Sequence, residues 1–387
     1  MASGFDLYNP ATIPFSSHIA IKIGDTLYEG DTPNFLQSLN FTKMSEEQAT
    51  FSFQISDVMD YELEAKLIKA TSEISSFPVS LQYGHAQGAM SVWYRGFIQS
   101  YEPQFLPNFN MTFTVTGICD LLTSTPISRT YKIKDYGYRI SNLIKAIAEE
   151  EKWSIGDPFI TTDKMDKDMD LGRYNLTSLG FIRAVLLPQA RKNNNTVRLL
   201  HSCTSKGVTV RLVEVALGKS KITKKSYNFV INSGNFGSVL EFSPSYQGIT
   251  AMALKVNAGY VDRETNQFML FTNKPDLGKA SPTNTQIFGA TSPESFQNIV
   301  QDKWFANNVG AVDATMQIVG DPDINPLDYI NVMPFRPDGR LHHTAGTYLV
   351  LGVVDDIQGG MYKTSLTLTK IHGEGTAIIS DTYDSGW

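Results

Sequence analysis

Two segments far apart in the chain carry one pattern. "VWYRGFIQSYEPQFLPNFNMTFTVTGI" (residues 92–118) and "TYLVLGVVDDIQGGMYKTSLTLTKIHG" (residues 347–373) each open with an apolar strand containing a glycine, Gly96 or Gly352. Each then passes through a polar exit and a turn, and ends in a strand where threonine alternates before Gly117 or Gly373. Alternation with period two puts every second side chain on one face of a sheet, so both segments predict hairpins wet on one side. In the second, Gly359 and Gly360 supply the two positive φ angles of a tight turn. The copies end the first and last units, as expected of one polypeptide holding two versions of one β module.

The rest of the chain divides around them. Short strand-like runs fill Ile19 to Gly117, among them "TFSFQI", where Phe51, Phe53 and Ile55 alternate with Ser52 and Gln54. They are broken once by "DYELEAKLIKATSE", which reads as an amphipathic helix with Leu63, Leu67 and Ala70 on its stripe and Asp60 as N-cap. After Pro126, "YRISNLIKAIAEEEKW" spaces Ile140, Leu143, Ile144, Ile147 and Ala148 as a helix, with Glu149 to Glu151 turned to water. "LTSLGFIRAVLLPQ" is a helix interrupted by Gly180 and Pro188, and "VTVRLVEV" alternates again. Ser292 and Pro293 start a further helix with Phe296, Ile299, Val300 and Trp304 on its buried stripe.

The expected fold class is therefore β-rich α+β and multidomain. It comprises a first barrel with a packed helix (1–125), a mixed α/β middle domain (126–227), a second barrel (228–260 plus 313–375), a helical insertion (261–312) and a tail (376–387) with Trp387 as an anchor.

Composition narrows the function. With 42% hydrophobic and 19% charged residues, the 387-residue chain has a folded composition and the length for several cores. A net charge of −6 argues against gripping nucleic acid through its phosphates. The basic run Lys219 to Lys225 reads as a solvated loop. Two cysteines, Cys119 and Cys203, make at most one bridge, the pattern of a reducing compartment. "MASGFDLYNPATIPF" has no secretory pattern, and no apolar run is long enough to span a membrane.

Catalytic and metal motifs fail on inspection. "ALGKS" resembles the end of a phosphate loop, but Val213 stands where its first glycine belongs. Asp166, Asp168 and Asp170 begin a calcium-loop spacing that Leu171 and Thr177 then break. His342 and His343 would point to opposite faces of a strand, and His85 and His201, the latter beside Cys203, have no nucleophile motif around them. No catalytic, cofactor-binding or metal-binding residue is nominated, and the chain reads as not an enzyme.

"MQIVGDPDINPLDYINV" followed by "GTYLVLGVVDDIQGGMYKTSLTLTKI" resembles the last barrel of the baseplate hub of contractile-tailed bacteriophages. That family includes the late control protein D of temperate phages and is related to the hub part of type VI secretion spikes. The shared elements are Gly320, Pro322, Pro326, Asp328 and the run Thr364 to Thr369, supported by "LEFSPSYQG" and "YRGFI". Leu327 departs from the family by replacing a glycine. Pro322 and Pro326 halt one strand and angle the next, and Asp321 and Asp323 bond nearby amides, making a barrel corner.

The resemblance implies two tail-tube-like barrels per chain and a homotrimer whose six barrels match a sixfold tube to a threefold spike. Its implied partners are the tail tube protein, the central spike protein, other baseplate proteins and the tape measure protein. DNA would pass through the channel without specific binding, and the setting would be a virion tail baseplate assembled in the host bacterial cytoplasm. Two alternatives stand beside it: a tail-associated cell-wall-degrading enzyme and a receptor-binding adhesin.

Overall fold

A computed structural model describes residues 16–31, 36–45, 47–57, 61–72, 78–86, 88–107, 111–119, 126–165, 170–193, 195–215, 227–231, 238–246, 255–261, 268–273, 282–286 and 312–371, with backbone alone over 255–286. The first unit contains β1 (Ser17–Ile23), β2 (Thr26–Asp31), β3 (Leu36–Met44), β4 (Thr50–Asp57), α1 (Tyr61–Ser72), β5 (Val79–His85), β6 (Tyr94–Phe105) and β7 (Met111–Ile118). Its ladders run β2–β1–β5–β6–β7–β4–β3, all antiparallel. Phe51, Phe53 and Ile55 alternate into its core, and the α1 stripe of Leu63, Leu67 and Ala70 is fully buried. Asp60, the expected cap, lies outside the described residues.

The middle unit contains β8 (Ile127–Lys132), α2 (Ile140–Glu150), β9 (Ser154–Phe159), β10 (Asp170–Leu176), α3 (Ser178–Phe181), β11 (Arg191–Lys192), β12 (Asn195–Thr204) and β13 (Gly207–Val215). The apolar stripe of α2 is buried as its spacing demands. The acidic run that ends it does not simply face water: Glu150 pairs with Arg129 at 3.0 Å, and Glu151 accepts a hydrogen bond from Ser178. The broken helix is observed, with α3 capped by Thr177 and continued by a π turn at Ile182–Leu186 and a 3-10 turn at Leu187–Gln189.

Next come β14 (Tyr227–Ile231), β15 (Val239–Tyr246), β16 (Lys255–Val261), β17 (Phe268–Asn273), β18 (Pro282–Gln286), β19 (Val312–Val319), β20 (Tyr329–Pro334), β21 (Gly346–Gln358) and β22 (Met361–Lys370). Here one expectation is corrected. Residues 255–260 read as part of the second barrel, but among the described residues β16 pairs with β17 and β18 alone, in a separate sheet whose other strands come from the insertion. The helix expected from Ser292 lies outside the described residues, as do Lys219 to Lys225 and the tail.

The remaining strands repeat the first unit. Their order is β14–β20–β21–β22–β19–β15, matching β1–β5–β6–β7–β4–β3, except that β14 joins its neighbour in parallel. Two bulges recur at equivalent places. One separates Ile98 from Ser100 and Val350 from Gly352; the other separates Leu36 from Ser38 and Val239 from Glu241. The ladders between the bulges agree, since Ser52 opposes Thr116 as Thr315 opposes Thr367. The equivalence thus aligns Gly352 with Ser100, and Gly96 with Tyr348, correcting the glycine-to-glycine match suggested by sequence. Backbone hydrogen bonding, not residue identity, is what the copies share.

The two units lie side by side. The first part of β21, Gly346–Leu349, pairs with β20, and its second part, Gly352–Gln358, pairs with Met44–Ser38 of β3. A single strand is thereby shared between two sheets, and its edge is covered along both parts.

Candidate functional site

The seam between β3 and β21 is where the structure concentrates its buried polar chemistry. Asp355 is fully buried, and each of its oxygens takes two donors. Oδ2 accepts from Tyr83 at 2.7 Å and pairs with Lys43 Nζ at 3.1 Å. Oδ1 accepts from Tyr362 at 2.9 Å and from Thr364 Oγ1 at 2.7 Å. A buried carboxylate survives only when paired and hydrogen-bonded in this way. Burial, and then the neighbouring Asp355 charge, push both tyrosines well above their ordinary pKa, so both remain donors. Burial works most strongly against the Lys43 charge, but attraction to Asp355 together with Tyr94 and Asp321 raises the pKa overall.

The cluster is assembled by strand alternation. Tyr362 and Thr364 are successive inward residues of β22, as the period-two pattern required, while Asp355 points inward from the adjacent position range of β21. Lys43 and Tyr83 come from the first unit, so one carboxylate ties both repeats together.

The segment Gly320–Asp328 closes the same seam. It occupies the place between β19 and β20 that α1 occupies between β4 and β5. His85 Nε2 donates to the Gly320 carbonyl at 2.8 Å, and Lys43 Nζ donates to the Ile324 carbonyl at 3.0 Å. The Asp321 amide donates to Thr364 Oγ1 at 3.0 Å, linking the turn to the Asp355 cluster. Gly320 is required by close approach: a Cβ there would sit 2.1 Å from the Tyr362 ring. Leu327, where the sequence resemblance leads one to expect glycine, adopts the glycine-like backbone with φ of 68° and is compensated by burial against Tyr329 and Leu349. Asp321 Oδ1 accepts from the Asp323 amide as expected; Asp328 performs the same service for the Asn325 amide. The expected corner is therefore also a fastening to the other module, which sequence could not reveal because His85 and Lys43 lie 235 and 281 residues away.

Among the described residues the other candidates do not converge on a reactive centre. His342 and His343 lie in a turn, not on a strand, so their rings do not diverge but meet with centroids 4.0 Å apart, tilted by 40°. Asp170 starts β10, Thr177 serves as a helix cap, and Asp166 and Asp168 lie outside the described residues, as do the "ALGKS" residues 216–220 that follow Val213. Cys119, His201 and Cys203 line a cavity of about 210 Å³ with Lys43, Arg211 and Pro326, where the three units meet. Neither cysteine forms a disulfide, and both are buried. Burial, aided by Arg183, lowers the His201 pKa to about 4. Among the described residues no group of three His, Cys, Asp or Glu is placed to hold a metal ion, and no helix is long and apolar enough to cross a membrane.

Neither a protein-family model nor a curated protein matches the sequence. In three dimensions the chain is similar to a tail protein from Neisseria meningitidis, with a TM-score of 0.59 at 11% identity, covering 92% of this chain and 96% of that one. It is also similar to the 43 kDa tail protein of prophage MuSo2 from Shewanella oneidensis, with a TM-score of 0.62 at 11% identity over 91% of this chain and 98% of that one. A third similar structure is an Escherichia coli component of the type VI secretion system, described as structurally similar to the T4 bacteriophage tail proteins gp27 and gp5; its TM-score is 0.50 at 9% identity over 90% and 76% of the two chains. The resemblance carried by Gly320, Pro322, Pro326 and the Thr364–Thr369 run thus extends over most of the backbone: this chain has the fold of phage tail proteins, shared with a type VI secretion component.

Proposed function

We propose that this chain is the structural hub of a contractile phage baseplate. Three copies would form a ring of six similar modules, joining a sixfold tail tube to a threefold central spike and enclosing part of the DNA channel. The modules would be residues 1–125 and residues 228–254 with 313–375, while the middle unit and the insertion would face other baseplate proteins. The observation that carries this reading is the β3–β21 seam. Two sheets with equivalent strand order and equivalent bulges lie edge to edge within one polypeptide, the arrangement that converts threefold symmetry into a pseudo-sixfold collar. The net charge of −6 also suits a conduit that must not retain DNA.

Sedimentation equilibrium of the full chain tests the proposal. A trimer of the 43.0 kDa chain, with a six-lobed ring in negative-stain images, is expected. A monomer throughout the micromolar range would remove the hub reading.

A further inference from the structure

The seam inside the chain has an open counterpart. By the bulge-to-bulge register, Ser100–Leu106 occupy the positions of Gly352–Gln358, and Glu241–Tyr246 occupy those of Ser38–Lys43. In the internal seam these edges are laddered together. Among the described residues, neither β6 beyond Phe97 on its side away from β7, nor β15 on its side away from β19, has a ladder partner.

Burial measures what is missing. Val353, Ile357 and Leu39 are 0% exposed beneath the internal seam. Their equivalents are Tyr101 and Phe242, both partly exposed, and Phe105, which is 78% exposed. Leu106 and Leu240 add 39% and 50% exposure on the same two edges. A large aromatic left in water where its structural twin is fully buried points to a surface completed by something else.

We infer that the two edges are the complementary halves of a seam between copies. β6 of one protomer pairs antiparallel with β15 of the next, in the register of β3 with β21, placing Gln104 opposite Ser243 and Phe105 opposite Phe242. The inference rests on the ring reading proposed above and names the surfaces that build the ring. Unlike edges join head to tail, so a free edge of each kind persists until the ring closes.

The same register sets Pro103 opposite Pro244, where the internal seam has Asp355 opposite Phe41. Neither proline has an N–H to donate, so the ladder is interrupted at its centre and held by the pairs on either side. Proline on an exposed edge also discourages pairing with arbitrary strands. The seam between copies therefore depends on aromatic burial more than on backbone bonds, and opens more readily than the seam within a chain.

Disulfide trapping of the full chain tests the register. Gln104→Cys with Ser243→Cys places both thiols on the exposed face, with the wild type and each single variant controlling for Cys119 and Cys203. Under mild oxidation the double variant is expected to run as a covalent trimer on a non-reducing gel, while the controls stay uncross-linked. Phe105→Asp is expected to weaken association at least about tenfold, with an unchanged circular dichroism spectrum. If the wild type is a trimer but the double variant does not cross-link, or Phe105→Asp remains as tightly trimeric, the seam is wrong and the hub stands. If the wild type is a monomer, both fall.

Discussion

Tyr83 in β5 and Asp355 in β21 are separated by 272 residues, yet they share a 2.7 Å hydrogen bond in a fully buried setting. That bond crosses from one repeat to the other, and the charge it helps hold is balanced by Lys43 at 3.1 Å. The two modules are therefore locked by chemistry that neither contains alone.

Removing the cation leaves a buried carboxylate with no counter-charge. Lys43→Met is expected to lower unfolding stability by about 3–5 kcal/mol, and Asp355→Asn in that background to cost much less than it does alone, a coupling of roughly 1–3 kcal/mol. Denaturant titration of the four proteins checks it; additive losses would show that the pair is not coupled. The Lys43 pKa is raised in the fold, so its contribution is complete below the ordinary value of 10.5 and is lost as pH rises through the folded value. The gap between wild type and Lys43→Met should therefore persist through neutral pH and narrow only under strong alkali.

Gly320→Ala drives a methyl group into the Tyr362 ring, whose hydroxyl holds Asp355. The expected loss is about 1–3 kcal/mol. Gly339 has φ of 79° with open space around it, so Gly339→Ala should cost only the backbone term, about 1 kcal/mol. Thermal melts that rank the two the other way would contradict the packing account.

His201 is neutral in the fold because its pKa is lowered to about 4. The unfolded chain takes up the proton first, so stability should fall as pH drops from about 6.5 to about 4 and then level off. The loss is at most about 3 kcal/mol, reduced by the partial exposure of the ring. His201→Gln should flatten this part of the profile in acid denaturation; an unchanged slope would assign it to other groups.

Cys119 and Cys203 are 3% and 4% exposed and unbridged. A thiol-reactive chromogen should label neither in the native protein and both after denaturation. Rapid native labelling would mean that the cavity between the three units opens on the timescale of the reaction.

Local periodicity was enough to place the α1 stripe at Leu63, Leu67 and Ala70, the α2 stripe, the inward face of β4 and the Gly359–Gly360 turn, whose φ angles are 57° and 85°. These features depend on neighbours within a few residues, which is why the sequence carries them. Strand partners do not. The placement of β16 in a separate sheet, the ring contact between His342 and His343, and the four-residue offset between the glycine match and the ladder match all depend on hydrogen bonds and turn geometry that alternation alone does not specify.

By itself the sequence determined that this is a β-rich chain built around two similar hairpins, with Gly320–Asp328 as a corner, because side-chain alternation and turn chemistry are local properties. Only the tertiary structure decided that the corner clasps the opposite module through His85 and Lys43, and that Asp355 lies at the meeting point. A buried charge can be satisfied only by donors brought from distant strands, and their arrival is set by the packing of the sheets as a whole.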